Sequence, residues 1–177
     1  MSQVVSNSAR KPRDSYATPP WVTSVMLKHL RQPIGGVWEP ACGEGQMAEV
    51  LLNAGYCVAL SDIHDAGHDF LMAHAPPDGG KCAAIITNPP YTLAQEFCEH
   101  ALRLVEPALG QVAMLLRVDF DSAKTRRDIF NDHPAFTETI KLTSRITWFE
   151  NPEKKVSPNL GWMAQENANT GGVGAQQ

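Results

Sequence analysis

The chain has no apolar run long enough to cross a bilayer. Val112-Ala113-Met114-Leu115-Leu116 is among its longest, against the roughly 20 residues a spanning helix needs. An apolar signal core is also missing from the polar N-terminus, which argues against secretion and for a cytoplasmic protein. None of the four cysteines (Cys42, Cys57, Cys82, Cys98) stands in a Cys-x-x-Cys pair. That spacing excludes a zinc ribbon and a disulfide frame, and the four read as reduced thiols. Internal repeats are absent as well. What remains, 177 residues of which 43% are hydrophobic and 19% charged, is the composition of one globular domain with a full core.

The net charge of −4 is unevenly spread. Arg10, Lys11 and Arg13 face no acid in residues 1–13, residues 14–116 carry 11 acids against 4 bases, and residues 117–155 carry 8 bases against 7 acids. An acidic middle between basic ends leaves room for a local phosphate-binding face on a protein that is negative overall. Solvated surface charge explains the same pattern.

The periodicities alternate strand with helix. Residues 1–15 read as a flexible basic arm. Thr18-Pro19-Pro20 looks like a capped helix start, followed by apolar positions from Val22 to Leu30. Val37-Trp38 is a short strand, Pro40 to Gly45 a turn, and Met47 to Ala54 a helix stopped by Gly55. Tyr56–Leu60, Cys82–Ile86 and Gln111–Arg117 read as buried strands, and Leu93–Val105 and Ser122–Asn131 as helices. In the last of these, Asp121 or Ser122 is the expected cap. Residues 64–81 form a loop with at most a short helix. Ile140–Leu142 and Arg145–Phe149 are candidate strands, and the tail from Ala164 to Gln177 is expected to be disordered. The class is therefore α/β with a mostly parallel central sheet flanked by helices. Such sheets bind ligands beyond the carboxyl ends of their strands, where Glu39, Asp62 and Asn88 fall.

Glu39-Pro40-Ala41-Cys42-Gly43-Glu44-Gly45 lies between a strand and a helix. Gly43 and Gly45 permit a sharp bend and a close backbone approach to a ligand. A phosphate loop would add Gly-Lys-Ser/Thr or a third glycine. Here there is no lysine, and Glu39 and Glu44 repel phosphate. Asp62, at the end of the next strand, is placed to accept from ribose hydroxyls. A nucleoside with a positive charge suits this set, and S-adenosylmethionine is one.

Asn88-Pro89-Pro90-Tyr91 is the most specific feature. Two prolines stop the preceding strand, and Pro89 holds Asn88 extended. The Asn88 side-chain oxygen and the Pro89 carbonyl are then two fixed acceptors. Gripping both N–H bonds of a planar, conjugated amine favours a more tetrahedral, nucleophilic nitrogen, and Tyr91 offers a face for stacking a base.

These motifs together resemble the amino-group DNA methyltransferases that act on adenine. The turn Glu39 to Gly45 is similar to their Asp/Asn/Glu-Pro-Ala-Cys-Gly-x-Gly cofactor turn, and Asn88-Pro89-Pro90-Tyr91 to their catalytic turn. Tyr16-Ala17-Thr18-Pro19-Pro20 looks like the segment covering the methionine end of the cofactor, and Asp69-Phe70 like the pair that holds its adenine. Leu115-Leu116-Arg117, Arg126-Arg127, Phe130 and Arg145 to Phe149 look like small phage-encoded members. The resemblance implies a Rossmann-like class I methyltransferase domain over residues 16–163. It implies a cofactor site of Tyr16, Thr18, Glu39, Pro40, Ala41, Gly43, Gly45, Asp62, Asp69, Phe70 and Asn88 for S-adenosylmethionine. The expected substrate is an adenine flipped out of DNA, with Lys124, Arg126 and Arg127, beside the basic arm, as phosphate contacts. No metal is expected, because the spacing of His64, His68 and His74 matches no site. About 40 residues separate the two motifs and fewer than 90 follow the second, which leaves no separate target-recognition domain; specificity is then loose or supplied by a partner or a homodimer. The same Asn-Pro-Pro-Tyr turn occurs in protein-glutamine methyltransferases. RNA adenine is an alternative substrate, and a truncated, inactive cofactor-binding remnant an alternative of another class.

Overall fold

Ala84-Ile85-Ile86 and Val112 to Leu116 are buried on both faces, and they form the middle of the sheet. The computed structural model describes residues 17–30, 35–65, 67–77, 79, 82–105, 110–146 and 159–166. In chain order the elements are α1 (Pro20–Met26), β1 (Gly36–Glu39), α2 (Gln46–Asn53), β2 (Val58–Leu60), β3 (Cys82–Thr87), α3 (Ala94–Val105), β4 (Gln111–Arg117), β5 (Phe136–Lys141) and β6 (Leu160–Glu166). The strands make one sheet in the order β2-β1-β3-β4-β6-β5. The first four run parallel, and β6 is antiparallel to both β4 and β5.

The pleat sends successive side chains to opposite faces. On one face Val37, Ala84, Ile86, Ala113, Leu115 and Trp162 pack under Val22 and Met26 of α1 and Met47 and Leu51 of α2. On the other, Trp38, Ile85, Val112, Met114, Leu116 and Met163 meet α3. That helix buries Ala94, Phe97, Cys98, Ala101 and Val105, the i, i+3, i+4 stripe of a helix lying on a sheet. Continuous apolar strands are what a parallel sheet covered on both faces requires.

Several sequence expectations are corrected here. The chain does not leave its structure at Ala164: β6 continues through Ala164, Gln165 and Glu166, paired in register with β4 from Arg117↔Leu160 to Gln111↔Glu166. Gln165 is buried, and its Nε2 donates to the Ile129 carbonyl, so a residue that reads as tail is a satisfied core position. Ser122–Asn131 is not a helix. It holds 3-10 turns at Phe120–Ser122 and Lys124–Arg126 separated by an extended Ala123, because Ile129 and Phe130 alone make no helical stripe and the Asp and Asn residues favour turns. Asp121 and Ser122 accordingly cap no helix; Asp121 accepts instead from the Thr139 hydroxyl at 3.2 Å. Thr18 does not cap α1 either: the N-cap is Pro19, with no side-chain bond, and the helix ends at Met26. The last strand pair begins at Phe136 rather than Ile140, while most of Arg145–Phe149, like the arm 1–15 and Tyr16, lies outside the described residues.

Candidate active site

The strand order reverses beside β1. From β1 the chain goes through α2 to β2 on one side, then returns across β1 to β3 on the other. The crevice beyond the carboxyl ends of β1 and β3 is the topological switch point, where open α/β sheets bind ligands. The turn after Glu39 and the turn after Thr87 both open into it.

The turn after β1 is held by its neighbour. Cys42 N–H donates to the Ser61 carbonyl at 3.1 Å, and Ser61 N–H to the Glu39 carbonyl at 3.1 Å. Asp62 Oδ2 accepts from Gly43 N–H at 2.9 Å and its Oδ1 from His64 N–H at 3.0 Å. Gly43 (φ 52°) and Gly45 (φ 84°) adopt the left-handed conformation that favours glycine. Gly45 is the N-cap of α2 and is not part of the cleft wall, whereas Gly43 is.

Glu39 is 2% exposed, and its Oε2 has no hydrogen-bond partner among the described residues. Burial pushes its carboxyl up to about 8, eased by the Ala48 backbone N–H and reinforced by the Asp62 carboxylate. Cys42, beside it, is pushed up to about 11 by burial and by Glu39, Asp62 and Asp65, so the thiol stays protonated. A buried carboxylate with an unsatisfied oxygen is costly unless something positive or hydrogen-donating meets it.

Asp69 caps a 3-10 turn, Phe70–Met72, by accepting from Leu71 N–H at 3.0 Å. The Phe70 ring is buried against Trp38 (5.2 Å between centroids), Phe97 (4.8 Å) and His100 (4.9 Å). His100 in turn meets the Ala73 carbonyl at 2.9 Å, tying this loop to α3.

At the other turn, Asn88 Nδ2 donates to Thr18 Oγ1 at 3.2 Å. Pro89 is buried and Pro90 half-buried. Tyr91 begins a 3-10 turn and packs partly against the core cluster under α1, with its hydroxyl buried.

One cleft of about 1040 Å³, including the solvent at its mouth, joins these parts. Its wall contains Thr18, Glu39, Pro40, Ala41, Gly43, Asp62, Asp69, Phe70, Asn88 and Pro90 from the sequence reading. Pro89, Tyr91 and Gly45 support the wall without lining it, and Tyr16 lies outside the described residues. The wall also holds residues outside the expected cofactor site, among them Ile63, Leu93 and Phe97, together with His64 and His68, which the sequence reading weighed only as metal ligands. Ile63 had a signal: an apolar residue directly after a strand-end acid, left 58% exposed. Among the described residues the wall carries Glu39, Glu44, Asp62 and Asp69 and neither lysine nor arginine.

The expected phosphate contacts are placed differently from one another. Lys124 is exposed. Arg127 pairs with Asp132 at 2.9 Å. Arg126 donates through Nε to the Phe120 carbonyl at 2.7 Å and lies 3.9 Å over the Phe120 ring.

The fold has counterparts among solved structures. The 23S rRNA methyltransferase ErmE matches over 87% of this chain and 70% of its own, at 16% identity and TM-score 0.57. Magnesium protoporphyrin IX methyltransferase ChlM from Synechocystis, crystallised with S-adenosylmethionine, matches over 84% of this chain and 77% of its own, at 16% identity and TM-score 0.55. The fold is that of the class I methyltransferases. A methyltransferase of Pyrococcus furiosus shares it at 16% identity and TM-score 0.51, over 85% of this chain and 83% of its own. No family model and no curated protein sequence matches the chain. The class I fold is therefore visible in three dimensions where sequence comparison is silent. Among the described residues no helix is long and apolar enough to cross a membrane.

Proposed function

We propose that the chain uses S-adenosylmethionine to methylate the exocyclic amino group of an adenine in nucleic acid, DNA foremost. The observation that carries this reading is that the Glu39–Gly45 turn and the Asn88 turn line a single cleft. The residues suit that donor. Among the described residues the wall has four carboxyls and no lysine or arginine, which disfavours a polyphosphate ligand, and the buried Glu39 oxygen that has no partner among them calls for an ammonium or another donor. Glu39 and Gly43 would hold the amino-acid end, Asp62 the ribose, and Asp69 with Phe70 the adenine. When bound, the group supplies an electrophilic methyl on a sulfonium.

The chain's own part is to position the acceptor. The Asn88 side-chain oxygen and the Pro89 carbonyl accept from the two N–H bonds of the amine and aim its nitrogen at the methyl. No strong general base is needed, since the nitrogen becomes acidic once methylated and its proton passes to water. Positioning and fixed dipoles carry most of the acceleration. The target base must leave its stack to reach the cleft.

RNA adenine is the second reading, supported by the likeness to a protein named as a 23S rRNA methyltransferase. Transfer of a tritiated methyl group to DNA, RNA and protein extracts, followed by digestion and identification of the labelled base, tests both. Label in N6-methyladenine of DNA is the expected result. Label confined to RNA selects the second reading. Label in protein alone, or none with any acceptor, overturns the proposal.

A further inference from the structure

Charge divides the carboxyl edge of the sheet. On the β1 side of Asn88 the cleft wall is acidic, with Glu39, Glu44, Asp62 and Asp69. A phosphate backbone brought up to the Asn88 turn is repelled from that side. On the other side of β3 the edge is made by β4, β6 and β5. β6 is antiparallel to both of its neighbours, so β5 runs in the same direction as β4 and β3. It therefore delivers its last residue, Lys141, to the edge that carries Asn88. Three strand spacings put β5 about 14 Å from β3.

The segment that follows β5 is suited to phosphate. Between Glu138 and Glu150 the sequence has no acid, but it has Lys141, Thr143, Ser144 and Arg145. These four are exposed. Between and after them, Leu142 and the buried Ile146 pack into the core cluster that Tyr91 also meets. Leu142 N–H donates to the Leu160 carbonyl at 3.1 Å. The backbone is thus fastened to the sheet while its polar side chains stay in solvent. Among the described residues neither Lys141 nor Arg145 forms an ion pair, whereas Arg117 pairs with Asp119 and Arg127 with Asp132. The acids beside the segment are engaged elsewhere: Glu138 meets His29 at 3.1 Å, and Asp121 accepts from the Thr139 hydroxyl at 3.2 Å. Two uncompensated cations and two hydroxyls on an anchored backbone are the groups that contact phosphate oxygens and set register on a nucleic acid.

We infer that Lys141 to Arg145 is a phosphate-binding segment, over which the backbone of the nucleic-acid substrate passes when its adenine enters at Asn88. This rests on the reading that the methyl acceptor is a base in nucleic acid. The acidic half of the edge takes the cationic donor, and the basic half takes the polyanion.

Fluorescence anisotropy of a labelled, adenine-containing duplex over a salt series tests the segment. Lys141→Ala and Arg145→Ala should each reduce the slope of log affinity against log salt by about 1, and weaken binding about 5- to 10-fold at 0.1 M salt. The double variant should lose about 2 from the slope. Its KM for DNA should rise, while kcat at saturating DNA and the Kd of S-adenosylmethionine stay within about 3-fold of wild type. Lys141→Arg and Arg145→Lys keep the charge and should keep the slope. Arg103 is the control for net charge: it is exposed near the end of α3, which runs back from the carboxyl edge, so Arg103→Ala should leave the slope unchanged. If transfer of label selects RNA, an RNA strand replaces the duplex, with a loss of about 0.7 per cation. An unaltered slope and KM in the double variant overturn the inference, as does an equal loss in Arg103→Ala. The two levels separate cleanly. Label in neither nucleic acid removes the underlying reading, whereas a methylated nucleic acid that binds the double variant with wild-type slope removes only this segment.

Discussion

Asp62 closes the turn that Gly43 opens. The carboxylate stands beyond β2, yet its Oδ2 takes the Gly43 N–H at 2.9 Å across 19 residues, while Oδ1 takes the His64 N–H at 3.0 Å. One side chain thus joins two loops at the crevice and has acceptor capacity left for a ligand hydroxyl. Removing it should act before any ligand arrives. Asp62→Ala is expected to destabilise the ligand-free protein by about 1–3 kcal/mol, the net worth of two part-buried backbone hydrogen bonds to a charged acceptor, as well as to weaken donor binding. Thermal unfolding without S-adenosylmethionine checks this; an unchanged Tm would restrict Asp62 to ligand contact.

The raised carboxyl of Glu39 has a signed consequence. Its folded value is about 8 against an ordinary 4.5, so between those pH values the native state holds a proton that the unfolded chain has lost. Glu39 therefore favours folding fully below about 4.5, and this contribution declines as pH rises to about 8 and is gone above it. Urea denaturation of wild type and Glu39→Gln at pH 5, 7 and 9 should show the variant gaining relative stability with pH. A cation bound at Glu39 would stabilise the carboxylate, so donor binding at pH 7 should release a proton. Calorimetry in buffers of different ionisation enthalpy measures that release, and heats independent of buffer would argue against a direct cation contact.

Gly161 shows why β6 must be backbone-thin. A Cβ there would meet the Ile140 carbonyl oxygen at 2.8 Å and Val118 Cγ1 at 3.3 Å. The β5 backbone cannot yield easily. Gly161→Ala is expected to cost about 1–3 kcal/mol, as overpacking does, with a lower Tm. If donor binding and turnover fall as well, β6 is coupled to the cleft through α1.

How far the sequence revealed all this depended on where each signal was local. β3 and β4 were legible because Ala84-Ile85-Ile86 and Val112 to Leu116 are apolar without a break, as a doubly covered strand must be. The turn after β1 was legible because Gly43 and Gly45 supply the left-handed conformation that its backbone adopts. β6 was hidden because Ala164-Gln165-Glu166 shows no apolar alternation, and its place comes from pairing with β4, some 50 residues away. Thr18 was read by its neighbours as a helix cap, but its hydroxyl answers Asn88. Arg126 reads as a surface cation from sequence alone. Its contact with Phe120 depends on a loop path that 3-10 turns, rather than a helix, create.

That loop allows fold and substrate roles to be separated among three adjacent cations. Arg126 fastens its loop by a 2.7 Å bond to the Phe120 carbonyl and by stacking on the Phe120 ring. Arg126→Ala should therefore lower Tm, with about 0.5–1 kcal/mol lost from the cation–π contact and more from the freed carbonyl. Lys124 is exposed, so Lys124→Ala should leave Tm within a degree or so. If nucleic acid crosses this surface, Lys124→Ala should instead reduce the slope of log affinity against log salt by about 1. Arg127 stands between the two cases, because a phosphate would have to compete with its exposed Asp132 partner, and exposed pairs contribute little. Fluorescence anisotropy of a labelled duplex over a salt series, beside thermal unfolding of each variant, resolves the three. A slope unaltered by Lys124→Ala and Arg127→Ala would move the phosphate-binding face away from this loop.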